Sequence, residues 1–219
     1  MIRGATFDFD GTLFDSMGIW ETIAADYLRS LGKEPHEDLT RTFQAMSMEQ
    51  AAEYYQKEYN VHLSTVAIIA GVNRMMEQYY RETVLPKENT VALLKRFAEQ
   101  DVKMCITTAT DAKLVIAALH RCHLASYFTA VYTCGEIGKG KDDPEIFRKA
   151  LHHLGTAKEE TLVLEDALYA IRTAQKDGFR VVGVYDQYEK EAGTVKAICK
   201  DYLTEDTCLD EFWKQISAE

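Results

Sequence analysis

The 219-residue chain reads as an α/β protein, a Rossmann-like parallel-sheet core carrying an inserted α-helical domain. Three observations predict this. From residue 85 onward, short apolar runs alternate with helical periodicity, the layout of a parallel sheet covered on both faces. One strand-like run, Gly4 to Asp8, stands alone at the start. Between them, about residues 16–84 carry continuous helical periodicity with no convincing strand, so this block has no place inside the sheet. The expected division is a core of residues 1–15 and 85–219 and a helical insert of residues 16–84.

Each element has its own signal. Ser16 is placed as an N-cap, and Ile19, Trp20, Ile23, Ala24, Tyr27, Leu28 and Leu31 then recur at helical spacing until Gly32. Further helices are expected at about 37–46, 48–59 and 64–83, and Leu85-Pro86 breaks the run. Beyond it the readings are a helix at 88–100, a strand at 102–107, a helix at 112–120, a strand at 130–133 and a helix at 144–154. A strand at 162–164, a helix at 167–176 and a strand at 180–184 follow. The tail adds a helix near 191–200, an edge strand at 201–203 and a last helix to Ile216.

Composition narrows the function. Hydrophobic residues make up 47% and charged residues 27%, which is globular usage and excludes disorder as a default. There are 25 basic and 35 acidic side chains, net −10, so a broad electrostatic grip on nucleic acid or an anionic membrane is not expected. The insert holds 10 of the acids and 6 of the bases, so the excess is spread over both parts as solvated surface. No run approaches the ~18 uninterrupted apolar residues of a spanning helix. The first residues lack a signal-peptide layout, and the five cysteines form no C-x-x-C. The expectation is a cytoplasmic protein with free thiols.

The chemistry is expected at strand ends, because ligands of open parallel sheets bind beyond their carboxyl edge. Asp8-Phe9-Asp10-Gly11-Thr12 closes the first strand. Two acids at i and i+2 repel unless a cation or proton intervenes, and the glycine lets the second swing round. Alone, the pair equally fits a turn with solvated acids. Thr107-Thr108-Ala109-Thr110 closes the second strand, with hydroxyls and amides suited to a phosphate oxygen or to a helix N-cap. Gly138-Lys139-Gly140-Lys141 follows the third, where a lysine either serves the same mouth or is a solvated loop residue. Glu165-Asp166 closes the apolar run Leu162-Val163-Leu164, as site acids or as helix-start acids favoured by the dipole.

Acids, hydroxyl, lysine and acids, in that order, resemble the four motifs of the haloacid dehalogenase-like superfamily of phosphotransferases. The helical insert is similar to the cap of its phosphoglycolate phosphatase and β-phosphoglucomutase-like branch. The matching positions are Asp8-x-Asp10-Gly11-Thr12, Thr108, Lys141 with Pro144 and Glu145 behind it, and Glu165-Asp166. Pro144-Glu145 sets the frame in favour of Lys141 over Lys139. The resemblance implies that Asp8 is the nucleophile that forms an aspartyl-phosphate and that Asp10 is the general acid and then base. It implies Mg²⁺ held by the Asp8 carboxylate, the Asp10 carbonyl and Asp166, with Glu165 joining through water or from behind. Thr108 and the neighbouring amide of Ala109 would hold phosphate oxygens, and Lys141 would pair with both Asp8 and the phosphate. Ala167 and Ala170 depart from the family pattern, standing where a serine and a glycine are common.

Within the superfamily, Asp10 argues against a dehalogenase, and Lys33 and Lys57 read as surface positions rather than the Schiff-base lysine of a phosphonate hydrolase. A sugar-phosphate mutase shares all four motifs, but Trp20 and Met48 stand where that group usually carries a histidine and a phosphate-gripping arginine. A small-molecule phosphate monoester phosphatase is therefore favoured, with the mutase as its rival. A non-catalytic binding protein is a further alternative that the intact motif residues disfavour. Five of the seven methionines lie in the insert, as a plastic apolar core or as a roof over the leaving group, with Trp20 and Met48 as specificity candidates. Asp15-Ser16 reads as hinge and helix cap, and His120-x-x-His123 as surface. A monomer is the simplest expectation.

Overall fold

The computed structural model describes residues 1–43, 46 and 48–217. Strand β1 (Gly4–Phe7) leads into helices α1 (Gly18–Ser30), α2 (Leu39–Phe43), α3 (Met48–Glu58) and α4 (Thr65–Glu82). Then come α5 (Glu88–Glu99), β2 (Lys103–Thr108), α6 (Ala112–Arg121), β3 (Val131–Thr133), α7 (Cys134–Ile137) and α8 (Glu145–Leu154). The chain finishes with β4 (Thr161–Glu165), α9 (Leu168–Lys176), β5 (Arg180–Val184), α10 (Ala192–Ile198), β6 (Asp201–Leu203) and α11 (Leu209–Ser217).

The six strands form one parallel sheet in the order β3-β2-β1-β4-β5-β6. Every residue of β1 and β4 is buried, which is why both read as continuous runs rather than alternating ones. Strand order reverses about β1, the switch point at which ligands of such sheets bind. The register aligns the carboxyl ends: Phe7 pairs with both Ile106 and Leu164, and Thr108 with Thr133. Asp8 therefore emerges between the ends of β2 and β4.

The chain divides into two compact units, Met1–Ser16 with Val84–Glu219, and Met17–Thr83. The second is helical. Tyr27, Leu28, Leu39, Ala52, Tyr55 and Ile68 form its core, and the Tyr55 hydroxyl donates to the Ala24 carbonyl at 2.6 Å. A side chain at Gly71 would come within 2.5 Å of the Tyr27 ring, so the glycine permits α4 to press against α1. Methionine has a minor part in this core, with Met75 packed against it. Of the methionines in the unit only Met76 is buried, and tyrosine rings supply the area while their hydroxyls reach polar partners.

Two local readings also change. The first strand stops at Phe7, one residue short of Asp8, and Ser16 does not cap α1, whose N-cap is Met17. Helix α7 was not anticipated, although Thr133-x-x-Glu136 forms a reciprocal capping box there. All five cysteines are free thiols, and no helix among the described residues is long and apolar enough to cross a membrane.

Candidate active site

At the carboxyl edge of the sheet, three buried acids gather about one buried lysine. Lys141, in the loop before α8, is 3% exposed and pairs with Asp8 and, at 2.7 Å, with Glu165. Asp166 completes the group: oxygens of Asp8, Glu165 and Asp166 all lie within 4.8 Å of one another. Lys139, the other lysine of that loop, is exposed and paired with Asp143 at 2.9 Å.

One ammonium among three carboxylates leaves the cluster short of positive charge. Burial, followed by the charge of Glu165, raises the Asp8 carboxyl well above its usual range, with Lys141 pulling the other way. Burial and Glu165 likewise push Asp166 up to about 8, against the hydrogen bond it accepts from Thr12. Burial works against the Lys141 ammonium, but Asp8 and Glu165 outweigh it and hold its pKa above the ordinary lysine value. The donor set is all carboxylate oxygen, the set that suits a hard divalent cation. Such a cation would counter both the burial and the repulsion that raise Asp8 and Asp166.

Local backbone geometry lets the acids meet. Gly11 has φ +74°, and a Cβ there would fall 2.4 Å from Asp166 Oδ2, so no other residue fits the turn without displacing that carboxylate. The Thr12 hydroxyl donates to Asp166 Oδ1 at 2.7 Å, tying the first motif to the last across 154 residues of chain.

Asp10 has different surroundings. The Ser16 hydroxyl donates to its Oδ1 at 2.6 Å and the Thr110 hydroxyl to its Oδ2 at 2.5 Å. Ser16 is thus drawn to a carboxylate instead of capping a helix, which is the physical reason for that correction. Thr108 ends β2, and its hydroxyl oxygen accepts from the Thr110 amide at 3.0 Å, leaving the hydroxyl proton to be donated elsewhere. It is not the N-cap of α6. Asp111 holds that position and accepts from the Lys113 amide at 2.8 Å.

The sequence pattern of the haloacid dehalogenase-like hydrolases matches residues 5–184. The chain belongs to this family. It is 24% identical over 184 residues to the phosphorylated carbohydrates phosphatase of Thermotoga maritima, covering 84% of this chain and 85% of that one. To protein CbbY of Cereibacter sphaeroides it is 27% identical over 214 residues, covering 88% and 90%. A Thermotoga maritima protein of known structure, provisionally assigned as a β-phosphoglucomutase, superposes with a TM-score of 0.83 at 20% identity over 99% of both chains. That likeness speaks for the fold alone.

As a member of this family the protein is an enzyme, a hydrolase. Asp8, Lys141, Glu165 and Asp166, named from the sequence, converge. Asp10 and Thr108 lie at the same edge and are linked through Thr110. Trp20 and Met48 lie in the helical unit, where both are exposed. Sequence reasoning gave Ser16 a cap and hinge role and Thr110 a place in the hydroxyl run after β2, but linked neither to Asp10, and it gave Thr12 no partner. It also passed over Lys87 and Asp186, which no spacing brings together.

Proposed function

We propose that this hydrolase is a Mg²⁺-dependent phosphatase that cleaves a small-molecule phosphate monoester through a phosphorylated Asp8. The observation that carries the reading is the pairing of the Lys141 ammonium with Asp8 and Glu165 beside a third buried acid, Asp166. The Asp8 oxygen attacks phosphorus while the bond from phosphorus to the leaving oxygen breaks, and Asp10 gives its proton to the departing alkoxide. Water then attacks the phosphorylated aspartate. Asp10 takes the water's proton, the Asp8–phosphorus bond breaks, and inorganic phosphate leaves.

The Thr108 hydroxyl and the Ala109 amide bind phosphate oxygens, and Lys141 balances charge as the equatorial oxygens become more negative. Asp8, Asp166 and the Asp10 carbonyl would hold Mg²⁺, with Glu165 bound through water or fixing Lys141 behind it. When bound, the cation lets an anionic carboxylate approach an anionic phosphate. The Ser16 and Thr110 hydroxyls, one on each oxygen, fix the orientation of the Asp10 carboxyl for this proton transfer. The Thermotoga phosphatase acts by its name on phosphorylated carbohydrates, which supports a sugar or polyol phosphate as the substrate class.

The test is turnover of an aryl phosphate and a panel of sugar phosphates with Mg²⁺. Release of inorganic phosphate is expected, with a loss of at least about 10³-fold in Asp8→Asn, whose amide is no nucleophile. No turnover, or turnover unchanged in that variant, would sink the reading. An isomerised sugar phosphate in place of inorganic phosphate would favour the mutase.

A further inference from the structure

Lys87 lies outside every motif, yet its ammonium converges on the turn after β1. It donates to the Gly11 carbonyl at 2.5 Å, to the Tyr185 carbonyl at 2.8 Å and to Asp186 Oδ2 at 2.7 Å. Three acceptors use all three ammonium protons. Asp186 is buried just beyond the end of β5, and its other oxygen accepts from the Tyr188 amide at 2.8 Å. Both partners of this partly buried ion pair are therefore hydrogen-bonded on their remaining valences, the condition for such a pair to hold geometry rather than only cost desolvation.

The same segment grips the turn at further points. The Lys87 amide donates to the Leu13 carbonyl at 2.9 Å, the Asp15 amide to the Leu85 carbonyl at 2.9 Å, and the Thr90 hydroxyl to the Thr12 carbonyl at 3.0 Å. The Gly11 carbonyl belongs to the peptide that leads into Thr12, and Thr12 holds Asp166. On the other side Gly11 joins Asp10. A rotation of this peptide moves both, and the left-handed conformation of Gly11 is the softest point of the turn.

We propose that Lys87, backed by Asp186, is a positioning residue that locks the Gly11–Thr12 peptide, and with it the Thr12–Asp166 contact and the Asp10 backbone. Its catalytic consequence rests on the phosphatase reading, while its structural consequence does not.

The test uses the full chain. Lys87→Met keeps the aliphatic stem without the charge, Lys87→Arg keeps the charge, and Asp186→Asn weakens the pair more gently should Lys87→Met fail to fold. Hydrogen exchange is followed at the amides of Gly11, Leu13 and Phe14, which donate within the turn to Phe14, Phe9 and Phe9. Lys87→Met is expected to exchange there about ten-fold faster, with β2 unchanged, Lys87→Arg recovering part of the protection and Asp186→Asn intermediate. With an aryl phosphate, kcat of Lys87→Met should fall about ten- to a hundred-fold while KM moves less than about three-fold. Exchange at the unaltered rate, acceleration spread evenly over the sheet, or an unchanged kcat in an active enzyme overturns the inference. Faster exchange confined to the turn, in a chain that hydrolyses no ester even unaltered, defeats the phosphatase reading and leaves Lys87 in its role.

Discussion

The sheet unit and the helical unit bury different chemistry. Tyrosine and cysteine aside, every fully buried polar or charged side chain among the described residues lies in the sheet unit: Asp8, Thr12, Ser16, Lys141, Glu165, Asp166 and Asp186 among them. The helical unit buries aliphatic side chains and the rings of Tyr27, Tyr55, Tyr59 and Tyr80. Parallel strands that end together bring fixed charge to one edge, where an unpaired group is expensive and persists only if the surrounding bonds dictate it. Helices packed on aromatic rings carry no such obligation. One unit spends stability on preorganised charge, and the other gains it from area.

The largest effect should expose this contrast directly. Leu28→Ala empties a fully buried site in the helical core and is expected to cost about 2–5 kcal/mol in denaturant unfolding. Thr110→Val in the sheet unit removes one hydroxyl from Asp10 at nearly constant volume. Stability should change by less than about 1 kcal/mol, because the threonine is only half-buried, while kcat falls about ten-fold. If the valine variant unfolds as readily as the alanine one and keeps its kcat, the division of labour between the units is wrong.

The next effect separates them by pH. Burial raises both Asp8 and Asp166 above the ordinary 3.8, Asp166 to about 8, so without divalent cations the fold retains protons that the unfolded chain has released. The native state then binds more protons than the unfolded state, and stability falls as pH rises from about 4 toward 8. Lys141 does not offset this, since its pKa is raised and its contribution is constant until pH passes the ordinary lysine range. Asp143 and Asp177, whose pKa values are lowered, change their contribution only below that window. Urea unfolding in a chelator should therefore give lower stability at about pH 8 than at about pH 5.5, and added Mg²⁺ should stabilise more at the higher pH. A metal-free chain that gains stability over that interval contradicts the crowding of acids at the sheet edge.

What was legible in the sequence follows the same division. The order of strands and helices could be read because β1, β4 and β5 are short apolar runs buried on both faces, a pattern carried by consecutive residues. Asp8, Glu165 and Asp166 could be read because each ends or directly follows such a run, and Lys141 because Pro144-Glu145 sets its frame. The hydroxyls on Asp10 could not, because Ser16 and Thr110 are 6 and 100 residues away and each has a plausible local role in turn or cap. The Lys87–Asp186 pair spans 99 residues and matches no spacing rule at all. Long-range polar contacts of this kind exist only after the sheet has set the register of its ends.

The smallest effect concerns Trp20 and Met48. The rings and methyls buried in the helical core are committed to packing, whereas Trp20 is 48% exposed and Met48 41%. Truncating either to alanine removes little buried area, so the melting temperature should stay within about 2 °C of the unaltered protein. If these side chains govern the choice of leaving group, as the sequence reading expects, the ratio of kcat/KM for an aryl phosphate over a sugar phosphate should fall. An apolar contact of this size is worth about three- to ten-fold in discrimination. Equal losses on both substrates would point to a general effect on turnover, and an unchanged ratio would remove Trp20 and Met48 from substrate choice. Selectivity would then have to come from side chains other than these two.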